Sequence, residues 1–171
     1  MKQNLKYIIP AIILFLGIFG VFSHRFDLTK EKRYTLSDAT VETLKSVKEP
    51  LTVEVYLEGD FPASFKQLQN ETQFLLEEFR KINPKIDYKF IDPIATKMSQ
   101  DTLQAMGMQP SMLPDMKDGK VSQIVLFPYA ALKYKGYGTS ISLITNQMGI
   151  DATEQLTKSI ENLEFNFAST I

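Results

Sequence analysis

The longest apolar run of the chain lies at its N-terminus, where residues 7–23 carry no charge between Lys6 and His24. As a helix these seventeen residues would cover roughly 25 Å, close to a bilayer hydrocarbon core of about 30 Å. The run therefore predicts a single-pass membrane anchor. Its anchoring side chains are Tyr7, Ile8, Ile9, Ile12, Ile13, Leu14, Phe15, Leu16, Ile18, Phe19, Val21 and Phe22.

Two other interpretations of this run stay open. Lys2 and Lys6 form a basic start and Ser23 offers a small residue for cleavage, as in a secretory signal, although the run exceeds the roughly 7 to 15 apolar residues of a usual signal. A buried helix of a soluble core is the third interpretation, and apolarity on all sides disfavours it. Long domains cross a membrane largely regardless of charge, so we expect a cytoplasmic N-terminus and export of the residues after His24.

Downstream, the hydrophobic pattern predicts alternating helices and strands. The predicted elements are a helix over 37–48 capped by Ser37, a strand over 51–58, a helix over 64–82 with a capping box from Ser64 to Gln67, a strand over 86–91, a weaker helix over 99–108, a loop over 109–120, strands over 121–135 and 139–144, and a final helix opened by Asp151. A long helix separates the first two strands, so we expect them to be parallel. Gly136 and Gly138 predict a hairpin between the last two.

After the transmembrane helix, the order β-α-β-α-β-β-α predicts an α/β fold, namely one thioredoxin-like domain with a mixed sheet. A different doubly wound α/β sheet is the alternative. The chain contains no cysteine, so the redox dithiol of thioredoxins is missing. The predicted organisation is an anchor with a cytoplasmic tip over 1–25, a linker and helix over 26–50, and an exported α/β domain over 51–171.

Composition and charge argue against several kinds of function. Nineteen basic and twenty acidic residues give a formal charge of −1 without a long block of one sign, so no nucleic acid partner is expected. The single histidine, His24, is expected at the membrane interface, which leaves no histidine relay or His-Glu-x-x-His zinc site. We therefore predict no enzyme activity, no catalytic residue, no cofactor and no metal ligand.

Two groups of residues remain as weaker candidates. Asp87 and Asp92 bracket the second predicted strand and could perform acid-base chemistry or hold a cation. The pattern favours the structural explanation, in which Asp87 lies on the polar face of the strand and Asp92 forms the turn after it. Five of the seven methionines lie between residues 98 and 116, and methionine is common at adaptable binding surfaces. The candidate contact patch consists of Met106, Met108, Met112 and Met116, with packing onto the core as the alternative.

Four short stretches occur in an order that is similar to a known family. They are Asp27-Leu-Thr29, Tyr34-Thr-Leu-Ser37, Ile91-Asp-Pro93 and Ser159-Ile-Glu-Asn-Leu-Glu-Phe165. This order resembles the gliding-motility-associated ABC transporter auxiliary proteins, the GldG family, and the wider ABC-transporter auxiliary domain related to the intraflagellar-transport-like domain. Members usually continue into a further extracytoplasmic region, so we expect this chain to correspond to their N-terminal part or to a short paralogue.

The resemblance implies a subunit of an ABC transporter, anchored in the bacterial inner membrane with its main domain in the periplasm. It would act there as a non-enzymatic interaction or auxiliary module of a complex associated with gliding motility. The implied partners are the permease and ATPase subunits and the lipid bilayer. The alternative is a periplasmic solute-binding domain that feeds the transporter, and the sequence defines no ligand for it.

Overall fold

The computed structural model describes residues 35–117, 120–145, 147 and 149–171. In this part of the chain the helices are α1 (Asp38–Ser46), α2 (Ala63–Ile82), α3 (Gln100–Ala105), α4 (Ala152–Glu161) and α5 (Leu163–Ala168). The strands are β1 (Leu51–Val55), β2 (Ile86–Phe90), β3 (Ser111–Lys117), β4 (Lys120–Leu126), β5 (Tyr129–Tyr134) and β6 (Tyr137–Ser142). The predicted anchor over 7–23 and His24 lie outside the described residues.

The strands form two separate sheets. The larger sheet has the order β2-β1-β5-β6, with β1 parallel to β2 and antiparallel to β5, and β5 antiparallel to β6. Leu51 lies opposite Ile86 in the parallel pair and opposite Tyr134 in the antiparallel pair. Strands β3 and β4 pair with each other in a two-stranded ribbon. The parallel β1–β2 pair and the β5–β6 hairpin confirm those two predicted pairings.

The predicted fold class as a whole is wrong. It gave a transmembrane helix and one thioredoxin-like domain with the order β-α-β-α-β-β-α, whereas the described chain is mixed α/β with a four-stranded mixed sheet and a separate ribbon. No helix within the described ranges is long and apolar enough to cross a membrane. A doubly wound sheet does not describe the fold either, because β5 runs antiparallel beside the central strand β1.

The error arose between residues 109 and 135. The segment 109–120, predicted as a loop, contains β3, and the single long strand predicted over 121–135 is two strands separated at Phe127 and Pro128. Proline has no backbone N–H for a sheet ladder, so the chain leaves the ribbon at this point and enters the larger sheet. The final predicted helix is likewise two helices that meet at Asn162.

The main core lies between one face of the larger sheet and helices α1, α2, α4 and α5. Strict alternation directs Leu51, Val53 and Val55 of β1 to this face, and each is buried. Phe79 of α2 and Phe167 of α5 are fully buried and meet edge to face with ring centres 6.3 Å apart. The core therefore fastens the C-terminal helix to the longest helix of the domain.

The opposite face of the sheet carries a second, smaller core. Its buried members are Tyr56, Leu103, Met108, Phe127 and Ala131. The short helix α3 and the loop after it supply the cover, with the Ser140 hydroxyl donating a hydrogen bond of 2.7 Å to the carbonyl oxygen of Met106. This thin cover leaves the charged side chains Lys89 and Lys133 about half exposed.

Side-chain caps define where three of the described helices begin, with Ser99 accepting the Thr102 N–H at 3.1 Å at the start of α3. The Thr40 N–H donates to the Ser37 hydroxyl oxygen at 3.3 Å at the start of α1, and Thr153 and Glu154 donate to the Asp151 carboxylate at 2.8 and 2.9 Å at the start of α4. Helix α2 begins after Pro62 without a side-chain cap, so the predicted Ser64 capping box is wrong. The carbonyl oxygen of Pro62 accepts the N–H groups of Phe65 and Lys66 at 3.0 and 3.1 Å, so α2 begins with backbone hydrogen bonds alone.

Candidate functional site

A half-open cleft of about 440 Å³ lies at the carboxyl ends of β1 and β2. Three segments line it: residues 56–61 after β1, residues 92–94 after β2, and residues 123–127 of β4 and the turn after it. Parallel strands bring their carboxyl ends to one edge of a sheet, which is where open α/β sheets commonly bind ligands. The ribbon supplies the third wall.

The inner part of the cleft is apolar. Tyr56, Leu57, Leu126 and Phe127 line it and are buried, while Ile94 is 60% exposed at its mouth. An exposed isoleucine beside buried apolar side chains extends the apolar surface outward. The volume of the cleft lies in the range of small-molecule sites, which are lined mostly by apolar side chains with a few placed polar groups.

Three carboxylates, those of Glu58, Asp60 and Asp92, supply the charge of the cleft. Gln69 donates to Glu58 Oε2 at 2.6 Å and to the carbonyl oxygen of Leu57 at 2.8 Å, and thereby fixes the wall that extends from β1. Among the described residues that line the cleft none is basic. The cleft is thus apolar inside and negatively charged where Glu58, Asp60 and Asp92 lie.

Asp92 also builds the turn after β2. Its Oδ1 accepts the N–H groups of Ile94 and Ala95 at 2.8 and 2.9 Å, and a Cβ placed on Gly59 would lie 3.4 Å from its Oδ2. Gly59 has a φ of +140°, a conformation that L side chains rarely adopt. The two walls therefore approach closely at a position that needs glycine.

Replacement of Asp92 should separate its role in the turn from its charge. Asp92→Ala leaves the Ile94 and Ala95 N–H groups without their acceptor, and we expect a loss of about 1 kcal/mol in unfolding free energy. Asp92→Asn keeps an oxygen acceptor and should stay within about 0.5 kcal/mol of the wild type. Urea unfolding followed by circular dichroism measures both; equal losses in the two variants would contradict the turn role.

A second polar group, buried beside the cleft, is centred on Glu54 of β1. Lys89 on β2 and Lys133 on β5 place their Nζ atoms 3.0 and 2.8 Å from its carboxylate oxygens, and the Tyr56 hydroxyl donates to it at 2.9 Å. Burial alone would raise the pKa of Glu54, but hydrogen bonds from Lys133, Lys89 and Tyr56 outweigh burial and lower it to about 2. Burial and then the Glu54 hydrogen bond raise the pKa of Tyr56 to about 12. A carboxylate held ionised in this way is a poor proton acceptor, so its evident role is to join three strands.

The structure separates the predicted candidate residues. Asp87 lies exposed on β2 beside Arg80, with 3.8 Å between Oδ1 and Nη1, while Asp92 lies beyond the other end of the same strand in the cleft wall. They do not form a pair. Across the described part of the chain no group of three or more His, Cys, Asp or Glu side chains could hold a metal ion.

The methionines of the candidate contact patch occupy different environments. Met108 is fully buried in the second core, Met106 is half-buried against it, and Met112 on β3 is 60% exposed. Met116 lies on β3 opposite Val121, and its side chain is outside the described part. Among the side chains described, Met112 is the one available to a partner.

The cleft itself was missed at the sequence level, although its first two walls left a signal. Glu58-Gly-Asp-Phe-Pro62 and Ile91-Asp-Pro93 each come directly after a strand, and parallel strands place such loops together. The third wall left no usable signal, because 121–127 reads as the first half of one long strand. The pattern placed Glu58 at the end of the predicted strand over 51–58 and Asp60 in the turn after it, so neither carboxylate was predicted to line a cleft.

Two of the stretches that carry the family resemblance contact each other in the fold. Glu164 Oε1, in the Ser159–Phe165 stretch, accepts the N–H of Ser37 at 2.8 Å and the hydroxyl of Thr40 at 2.6 Å. Burial would raise the pKa of Glu164, but the Thr40 and Ser37 hydrogen bonds lower it overall. We call this contact the clasp, since it joins the start of α1 to α5 across 127 positions of sequence.

The clasp should contribute measurably to stability. Glu164→Ala removes a charged acceptor from two donors, and we expect a loss of about 1–3 kcal/mol in unfolding free energy at pH 7. Since the folded-state pKa of Glu164 is lowered, this contribution is present above the usual pKa of a glutamate and is lost as the pH falls below it. Chemical unfolding at several pH values measures it. The matched variant Glu161→Ala, at an exposed position of α4, should change little; equal effects would contradict the clasp.

The fold and the cleft define a mixed α/β domain with an acidic, apolar-floored cleft at the carboxyl ends of two parallel strands. The chain belongs to the family of the domain of unknown function DUF7088, whose sequence profile matches residues 30–133. The described residues that line the cleft all fall within the matched range, whereas α4 and α5 lie beyond it. No curated protein and no solved structure shows significant similarity to the chain.

Proposed function

We propose that the chain is a non-enzymatic, membrane-anchored auxiliary module of a bacterial ABC transporter complex associated with gliding motility. Its α/β domain lies in the periplasm, its N-terminus is cytoplasmic, and its partners are the permease and ATPase subunits. The uncharged residues 7–23 and the order of the four similar stretches support this proposal. Neither feature depends on the details of the fold.

The clasp is the structural observation that carries the proposal furthest. Tyr34-Thr-Leu-Ser37 and Ser159–Phe165 are far apart in sequence, yet Glu164 binds Ser37 and Thr40 directly. The clasp holds the N-terminal end of the domain, which comes after the apolar run in sequence, to the last helix. Such a fixed start suits a domain that has to present one surface to neighbours at a membrane.

Cysteine labelling tests the orientation, since the chain contains no native cysteine. Two single-cysteine variants report on the two sides of the inner membrane. They are Lys2→Cys near the N-terminus and Lys45→Cys at an exposed position of α1. In cells with a permeabilised outer membrane, a membrane-impermeant maleimide should label Lys45→Cys, and should label Lys2→Cys only after lysis. Labelling of both before lysis, or of neither, contradicts the proposed location.

Site-specific photo-cross-linking in cells tests the role in a complex. A photoreactive residue in place of Ile94 or Met112, both exposed and apolar, should yield an adduct with the transporter permease. The matched control is Gln67, exposed on α2 and polar. The interaction role is contradicted if neither Ile94 nor Met112 yields a permease adduct, or if the photoreactive residue at Gln67 yields as much adduct as they do.

A solute-binding domain is the second candidate, and the cleft is the observation that favours it. Its volume of about 440 Å³ lies within the range of small-molecule sites. A ligand at a concentration of about 100 times its Kd should stabilise the domain by about 2.7 kcal/mol, which is visible as a higher melting temperature. A thermal-shift screen of sugars, peptides and metals that never moves the melting temperature would eliminate this candidate.

A further inference from the structure

One wall of the cleft is the open edge of a strand. Five consecutive residues, 123–127, line the cleft, whereas a strand that presented one face would contribute every second residue. The backbone of β4 therefore faces the opening. Among the described strands β4 pairs with β3 only, so its other edge carries N–H and C=O groups that no described strand binds.

The opposite wall is the continuation of β1. The strands β1 and β5 are still joined at the base of the cleft, where the Tyr56 N–H donates to the carbonyl oxygen of Tyr129 at 2.8 Å. Beyond this point residues 56–61 and 123–127 form separate walls, since Pro128 ends the ladder. The cleft is thus a gap where a sheet opens, and it is about five residues long on the β4 side, or roughly 16 Å.

The chemistry of the walls selects what would fill the gap. Apolar side chains, including Ile124 and Leu126, lie along β4, and the carboxylates of Glu58, Asp60 and Asp92 lie on the two loops. An extended segment has side chains that alternate between two directions, so one set would meet apolar surface and the other would meet carboxylates. Phe61 in the same wall is a ring that an ammonium group approaches, since Lys66, which lies outside the cleft lining, places its Nζ 5.5 Å from the ring centre.

We propose that the cleft binds an extended peptide segment of a partner protein, with alternating apolar and basic residues, which adds a strand to β4. Main-chain hydrogen bonds to the strand edge would supply affinity, and the apolar floor with the three carboxylates would supply specificity. The inference rests on the proposed function as an interaction module and names the class of partner segment that the module takes.

Selection from a peptide library tests this inference. A phage-displayed library of random linear peptides, each about 12 residues long so that it exceeds the length of the β4 edge, is selected on the purified full chain in detergent micelles. The enriched peptides should contain Lys or Arg at every second position between apolar residues. Hydrogen exchange of the full chain with an enriched synthetic peptide should show new protection of the amides of β4, as expected for an added strand.

Charge-removing variants supply the matched control. The first triple variant removes the charge of the three cleft acids and keeps their side-chain shapes, through Glu58→Gln, Asp60→Asn and Asp92→Asn. It should weaken binding of the enriched peptide at least tenfold. The second triple variant removes the same amount of charge from exposed positions outside the cleft, through Glu42→Gln, Asp101→Asn and Glu161→Gln. It should change the Kd of the enriched peptide less than twofold. Melting temperatures of both triple variants show that each is folded.

Several outcomes would overturn the inference. These are no enrichment over empty beads, an acidic or patternless set of peptides, no protection of β4, or equal weakening by the two triple variants. A melting-temperature increase with free polyamines but not with peptides would assign the cleft to small cations instead. Because the experiment uses the purified chain and peptides only, its failure would leave assembly with a transporter standing, and failure of that assembly would leave peptide binding measurable.

Discussion

Phe167→Ala is expected to reduce the unfolding free energy of the domain by about 3–5 kcal/mol, because it removes a fully buried ring from the main core. Phe167 meets Phe79 edge to face at 6.3 Å, so the loss includes an aromatic contact as well as buried area. Domains of this size are stable by only about 5–15 kcal/mol, and the variant should unfold at a markedly lower urea concentration.

Phe165→Ala provides the matched control in the same helix. Phe165 is 70% exposed, two positions from Phe167, and its replacement should change the unfolding free energy by no more than about 0.5 kcal/mol. Both variants remove the same side chain from α5, so helix propensity cancels between them. Similar losses in the two variants would contradict the described orientation of α5 on the core.

Glu54→Gln is expected to produce the second large effect, and one that depends on pH. The charge of Glu54 binds Lys89, Lys133 and Tyr56, and its removal should cost about 1–3 kcal/mol at pH 7. The folded-state pKa is lowered from 4.5 to about 2. The stabilisation is therefore complete above pH 4.5 and is lost as the pH falls toward 2.

Unfolding of the wild type and of Glu54→Gln in urea between pH 2 and pH 7 measures this dependence. The difference between the two proteins should be constant near neutral pH and approach zero near pH 2. Glu49→Gln, at an exposed position just before β1, is the control and should behave like the wild type throughout. If the wild type and Glu54→Gln still differ by the same unfolding free energy at the lowest pH, packing of the side chain and not its charge causes the loss of stability.

Local patterns predicted the first half of the domain well. The helical spacing in 64–82 gave α2 to within one residue at each end, and strict alternation in 51–58 gave the start of β1, although the strand ends at Val55. The long helix between the two strands gave their parallel pairing. These signals are local, or depend only on chain connectivity. The caps at Ser37 and Asp151 were equally readable, because capping involves residues only two or three positions apart.

Non-local features could not be read in this way. The ribbon needs 111–117 to pair with 120–126, and Pro114 in β3 together with the Pro110 before it favoured a loop. The cleft depends on the ribbon for its third wall, so it was lost with the ribbon. The clasp needed Glu164 to reach Ser37 across the whole fold, and only the structure places them together.

Purification of the full chain from its native membrane is the decisive test of the proposed assembly with a transporter. The chain with a C-terminal affinity tag is extracted in a mild detergent, passed over the affinity resin and a size-exclusion column, and its companions are quantified by mass spectrometry. We expect an ABC permease and its ATPase to elute with the chain in comparable amounts, and to be absent when the tag is on an unrelated membrane protein. Elution of the chain without either subunit would refute the assembly.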